Sequence, residues 1–197
     1  MSDDNLISIV RKFAIENSEK NDIHGFAHVE RVYKMCVKIG KKLNANLNVL
    51  KIAALLHDVG RINEKDDALK RNHAEISSDK SKKFLSSNGI SLVQDEFDNI
   101  IHSIRAHSFS NKIIARTLEA KILSDADKLD ALGAIGIFRT IGFTLENKGG
   151  IDQIIEHLEK KILKLREQMF LEYSKTIGKE RHKSVLGFYN KLKKERI

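Results

Sequence analysis

The stretch Ile52 to Gly60 reads IAALLHDVG: five apolar residues run without interruption into a histidine and an aspartate. No strand-like alternation is present. Leu47 to Val59 therefore reads as a core helix that stops at Gly60, a residue type that accepts the left-handed cap conformation without steric cost. His57 and Asp58 fall in its last turn, where the negative end of the helix dipole disfavours a carboxylate, so Asp58 needs a cation. Arg61 is the nearest one in the chain; a plain Asp58–Arg61 pair at the helix end is the structural alternative to a functional site.

Working outward, helical spacing recurs almost everywhere. Ile7, Val10, Arg11 and Ala14 fit a first helix with Asp3 and Asp4 near its positive end, and residues from about His24 to Leu43 fit a second. The polar run RINEKDDALKRN reads as a loop. A helix is expected from His73 to Ser87, ending at Asn88-Gly89, and Ser91 to Gln94 has the capping-box spacing that opens the next, near 91 to 106. One more is expected over 112 to 142. After Gly149-Gly150 a single stripe joins Ile151, Ile154, Ile155, Leu158, Ile162, Leu165 and Met169, and Val185, Phe188 or Tyr189 and Leu192 form a shorter one after Gly178.

Composition agrees with an all-helical chain. Its 197 residues include no proline and no tryptophan, and 41% are hydrophobic, enough for one globular core. The expectation is one all-α domain over 1–197, with a core at about 22–142 and a helical extension at about 149–197. Cys36 is the only cysteine, which excludes an intramolecular disulfide and a cysteine-rich zinc module. The longest aliphatic run, Ile52 to Leu56, is far short of a membrane span, and the opening MSDDNL has no signal-peptide character, so a cytoplasmic protein is expected. The net charge of +8 favours anionic partners without naming one.

Chemistry concentrates in the histidines and in a few aspartates. His24 and His28, four apart in HGFAHVERV, would share a helical face with Arg31 and Val32. In ILSDADKLDALGAIG, Ile122 to Gly136, Asp125 and Asp127 cannot both point the same way on one helix. At least one is carried inward, at a cost of several kcal/mol unless it is protonated, bonded to a cation or holding a metal ion.

These elements together resemble the HD-domain superfamily of metal-dependent phosphohydrolases, in particular its small stand-alone members. The opening His24 to Val32, the LLHD of Leu55 to Asp58, the AHS of Ala106 to Ser108 and the DADKLDALGAIG of Asp125 to Gly136 carry the resemblance, which covers roughly residues 22 to 142. It implies His28, His57, Asp58 and Asp127 as ligands of one divalent ion, with Asp125 as the competing fourth ligand and Asp130 in a supporting place. Histidines similar in position to His73 and His107 complete a second ion in two-metal relatives. Ser108 stands where those relatives carry another histidine, which favours a single ion here.

Two imidazoles and two carboxylates suit an octahedral divalent ion: Mn²⁺ is favoured, with Mg²⁺, Co²⁺, Ni²⁺, Fe²⁺ or Zn²⁺ as alternatives. The implied reaction is hydrolysis of a phosphomonoester or phosphoanhydride in a small phosphorylated metabolite, a nucleotide first, by metal-activated water. Arg31, Arg61 and Lys128 are the cations expected to face phosphoryl charge. His24, His73, His102 and His107 are the possible general acids, His107 and His73 ranking above His102, whereas His157 and His182 are expected to be structural or exposed. The rival readings are an HD-fold di-iron oxygenase and, from the basic segment 156–197, a nucleic-acid-binding helical module without turnover. No membrane partner is expected, and nucleic acid ranks below the small substrate.

Overall fold

A computed structural model describes residues 3–64, 66–90, 92–108 and 111–196. Nine α-helices occur among them: α1 (Asp3–Glu16), α2 (Phe26–Leu43), α3 (Leu47–Leu56), α4 (His73–Ser87), α5 (Gln94–Ala106), α6 (Leu118–Asp130), α7 (Gly133–Glu146), α8 (Ile151–Lys160) and α9 (Glu172–Glu195). Two short 3₁₀ turns, Arg61–Asn63 and Ile162–Lys164, follow α3 and α8. Among the described residues there is no strand beyond an isolated bridge between Glu19 and Gly25. The fold is all-α, as expected, and no described helix is long and apolar enough to cross a membrane.

The chain divides into two compact units, Met1–Ser124 and Asp125–Ile197, the boundary falling within α6. In the first unit α3 packs against α1, α2, α4 and α5. Its Val49, Leu50, Ile52, Ala53, Ala54, Leu55 and Leu56 are all buried, which explains a helix apolar on every side. Its start is tightly specified. The Asn46 side chain accepts from the backbone N–H groups of Asn48 and Val49, and Glu119 accepts from the Asn46 N–H at 2.9 Å.

Gly60 departs from expectation. The α3 helix ends at Leu56, and Gly60 has φ −91°, not a left-handed angle. Glycine is required there for space: a Cβ would lie 2.4 Å from the Ser77 backbone nitrogen and 2.8 Å from Ile76 Cβ on α4. The Gly60 N–H donates to Ser77 Oγ at 2.9 Å, so the turn carrying His57 and Asp58 is seated directly on α4.

Other boundaries also shift. Val93 occupies the cap position of α5 without a side-chain cap bond, and Ser91, the expected cap, lies outside the described residues. The expected helix over 112–142 is two helices. The helix breaks at Ala131-Leu132, where Gly133 takes φ +75° and a Cβ on Gly136 would meet the Ala131 carbonyl oxygen at 2.1 Å.

In the second unit α7, α8 and α9 pack on one another. The stripe from Ile154 to Met169 is buried, yet it is not one helix: α8 stops at Lys160, and Ile151 at its start is exposed. The α9 helix begins ahead of Gly178 and runs through it.

Candidate functional site

Four buried histidines from four helices of the first unit converge on one carboxylate, that of Asp58. His28 comes from the first turns of α2, His57 and Asp58 from the end of α3, His73 from the first position of α4 and His107 from the residue capping α5. Asp58 Oδ2 lies 3.6 Å from His28 Nε2 and 3.7 Å from His57 Nε2. Asp58 Oδ1 lies 3.6 Å from Nε2 of both His73 and His107. Two trios therefore share Asp58, His28–His57–Asp58 and Asp58–His73–His107, each placed to hold a metal ion.

The backbone sets the chemistry of these rings. His57 Nδ1 is 2.7 Å from the Ala54 carbonyl and His107 Nδ1 is 2.6 Å from the Ile104 carbonyl, each three residues back in its own helix. A carbonyl only accepts, so each Nδ1 carries a proton and each ring turns its Nε2 inward. This is the tautomer that metal-binding histidines adopt when their other nitrogen donates to a carbonyl. His57 Nε2 and His28 Nε2 stand 3.4 Å apart beside the Asp58 carboxylate. Two imidazole nitrogens and a carboxylate facing one another could hold a divalent cation, and these nitrogen and oxygen donors are of borderline-to-hard character.

Arg61 reaches the same carboxylate from outside, with Nε 2.9 Å from Oδ2 and Nη2 3.2 Å from Oδ1. The plain ion pair weighed as the structural alternative is thus formed, and it coexists with the histidine cluster. Burial pushes the Asp58 carboxyl up, but Arg61, His57, His107 and His73 outweigh it and hold the group well below the usual carboxylate range. His73 is held below its usual value, mainly by burial, so it is neutral near pH 7.

The remaining candidates fall out differently. Arg31 is half-buried on α2, three residues beyond His28 and hence on its side of the helix. His24 lies in the turn before α2, its N–H bonded to Asn21 Oδ1 at 2.9 Å. It does not share a helical face with His28, because a Cβ on Gly25 would strike the Asn21 carbonyl oxygen, and this crowded turn delays the helix start. His102 Nε2 accepts the Arg116 N–H at 3.0 Å, which ties it to the chain beside α5.

In the second unit Asp125 is the inward carboxylate. Its two oxygens accept the N–H groups of Phe170 and Leu171 at 2.9 and 3.0 Å, at the entry to α9. Burial pushes its pKa up, with those two bonds opposing. Asp127 is half-buried, and Asp130 is paired with Arg139 at 2.9 Å. Lys128 is buried with Nζ 5.1 Å from the centre of the Phe170 ring, and burial lowers its pKa against the pull of Asp125 and Asp127.

One site neighbour was missed by the sequence. Glu64, in the segment read simply as a polar loop, accepts from the His73 backbone N–H at 3.0 Å and faces His73 Nδ1 at 3.3 Å. The two lie nine positions apart on different elements, so no periodicity could pair them.

Residues 25–132 match the HD domain family. YpgQ of Bacillus subtilis is 28% identical over 186 residues, which cover 90% of this chain and 87% of YpgQ. A crystal structure of YpgQ in complex with ADP is 31% identical, with a TM-score of 0.76 and coverage of 96% of this chain and 97% of that one. An HD-superfamily hydrolase from Bacillus thuringiensis is 27% identical at a TM-score of 0.74, covering 98% of both chains. The match spans more than half of the sequence and includes Asp58 and the four histidines gathered around it, and on that ground the chain belongs to the HD-domain family.

Proposed function

We propose that this chain is a metal-dependent phosphohydrolase that cleaves a phosphomonoester or phosphoanhydride bond of a small phosphorylated metabolite, a nucleotide in the first place. The observation that carries this reading is the pair of imidazoles, His28 and His57, turned with Asp58 toward one point inside the first unit. His28, His57, Asp58 and Asp127 would hold the ion, Mn²⁺ by preference for this donor set. Asp127 is preferred to Asp125 as the fourth ligand because both Asp125 oxygens already serve the backbone at the entry to α9. When bound, a divalent ion lowers the pKa of its water toward neutrality and offsets charge on phosphoryl oxygens.

The chain's own residues supply the rest. Arg61 holds Asp58 in one orientation through two bonds, and its guanidinium, one-fifth exposed, is the cation beside that carboxylate to face a phosphate oxygen. Arg31 and Lys128 are the further cations for phosphoryl charge. His73 and His107 are the groups to move a proton to the leaving oxygen, since an imidazole can serve as both proton donor and proton acceptor. The ADP held by YpgQ supports a nucleotide as the phosphorylated ligand.

A second reading has one observation in its favour. The trio Asp58–His73–His107 forms without any histidine at position 108, so the absence of that residue does not remove a second ion site. Two ions would open the oxygenase alternative.

The test is to strip the purified protein with chelator, restore single divalent ions, and follow phosphate and pyrophosphate release from nucleotides and sugar phosphates. Manganese-stimulated release that is lost in Asp58→Asn and His57→Gln proteins of unchanged circular dichroism supports the hydrolase. Full turnover in those variants, or a dioxygen-dependent activity with two ions per chain, overturns it.

A further inference from the structure

The Glu64–His73 contact links the loop after α3 to the site. His73 stands between two partners of opposite kind. On one side Arg61 Nη2 lies 3.1 Å from His73 Nε2, and a guanidinium only donates, so Nε2 is the acceptor. On the other, Glu64 Oε1 lies 3.3 Å from Nδ1, and a carboxylate only accepts, so Nδ1 carries the proton. The same oxygen takes the His73 backbone N–H at 3.0 Å, which holds ring and main chain against one carboxylate. A continuous series of bonds then runs from Glu64 through His73 and Arg61 to Asp58.

We propose that Glu64 is a positioning residue that fixes His73 in its Nδ1–H tautomer, so that the Nε2 lone pair is the one presented to the site beside Asp58. The inference rests on the reading of His73 as a member of that site; its geometry is independent of the substrate. A carboxylate bonded to the outer nitrogen of a site histidine orients the ring and raises the basicity of the inner nitrogen, and losing such a partner costs about 10- to 100-fold in affinity or activity. Glu64 comes from the 3₁₀ turn that follows the His57-Asp58 doublet, so one short segment places both Asp58 and the group that orients its neighbour.

A purely structural role is the competing explanation, because Glu64 also serves the start of α4. That helix has a second cap, however: Asn72 Oδ1 accepts the Ala74 N–H at 2.9 Å. The Asn72→Ala protein is therefore the control for a lost helix cap with His73's ring partners in place.

The experiment reads the tautomer directly, by long-range ¹H–¹⁵N correlation of the imidazole nitrogens in the metal-free full chain, with His73→Gln to assign the signals. The wild type is expected to show His73 as Nδ1–H. Glu64→Gln, whose amide oxygen still accepts, should keep it. Glu64→Ala should shift it toward Nε2–H or a mixture, with kcat reduced about 10- to 100-fold and KM within about twofold. Asn72→Ala should lower Tm and leave the tautomer unchanged. An Nε2–H signal in the wild type, or a Glu64→Ala spectrum identical to it, overturns the proposal. Wild-type turnover by His73→Gln would instead sink the role of His73 in hydrolysis, and the tautomer spectra would still decide what Glu64 does.

Discussion

Arg61 clasps Asp58 with two parallel bonds, Nε to Oδ2 at 2.9 Å and Nη2 to Oδ1 at 3.2 Å, just beyond the end of α3. Both oxygens so held also face histidines, His28 and His57 on one side and His73 and His107 on the other. The guanidinium keeps the carboxylate ionised, but its positive charge also repels an incoming cation.

That opposition predicts a split phenotype for Arg61→Met. Removing the fixed charge raises affinity for Mn²⁺, by about tenfold or less at the effective dielectric of about 20 that protein sites show. Turnover falls at the same time, because the carboxylate loses its orienting fork. Titration calorimetry of the metal-free protein, set beside steady-state kinetics, measures both; weaker metal binding would show that Arg61 acts only as a scaffold for Asp58.

Binding to the folded state alone stabilises it by mass action. At a free Mn²⁺ concentration 100 times Kd the gain is about 2.7 kcal/mol, which for a chain of this size raises Tm by about 5–11 °C. Differential scanning fluorimetry should show the rise, EDTA should reverse it, and His28→Ala should abolish it. A rise of equal size in His28→Ala would place the ion elsewhere.

Asp125 and Asp127 are two residues apart and should behave oppositely. Asp125→Ala strands two backbone N–H groups at the entry to α9, costing about 1–3 kcal/mol for each that stays buried. Its metal affinity should be unchanged. Asp127→Ala should leave the metal-free Tm nearly intact and weaken metal binding about tenfold or more. Urea unfolding and calorimetry on both variants check the pair, and an exchange of the two outcomes would make Asp125 the ligand.

Gly60→Ala tests the seat of the doublet. Its new methyl would meet the α4 backbone at Ser77 inside any real contact distance, so the turn must move. A loss of about 1–3 kcal/mol is expected, together with a fall in turnover. Chemical denaturation and phosphate release measure the two effects; wild-type stability would mean that α4 yields.

The pH dependence of stability carries a signature of Glu64. The hydrogen bond from the His73 side chain, the largest influence, holds its carboxyl at about 2 against an ordinary 4.5. A depressed carboxyl contributes stability above its unfolded pKa and loses it as pH falls through the folded value. The advantage of wild type over Glu64→Gln should therefore be constant above about pH 5 and shrink between 4.5 and 2. Because the side chain is one-third exposed, the difference should not exceed about 1 kcal/mol. Urea titrations at pH 7, 4 and 3 measure it, and an advantage that grows on acidification would contradict the assigned bond.

Local rules reached far in this chain. Helical periodicity and the lack of proline determined the all-α class, a core helix read over Leu47–Val59 that in the structure ends at Leu56, and the helix at His73–Ser87, because these depend on spacing along one segment. The His57-Asp58 doublet announced itself as polar groups at the end of an apolar run. What spacing could not supply was distance between segments. Only the tertiary fold put His28, His73 and His107 around Asp58, gave Glu64 to His73, and sent Asp125 to the backbone at the start of α9. It also turned Gly60 from an expected left-handed cap into a clearance for α4. Periodicity records which face of a helix avoids water; which groups meet across that face depends on how the helices are packed.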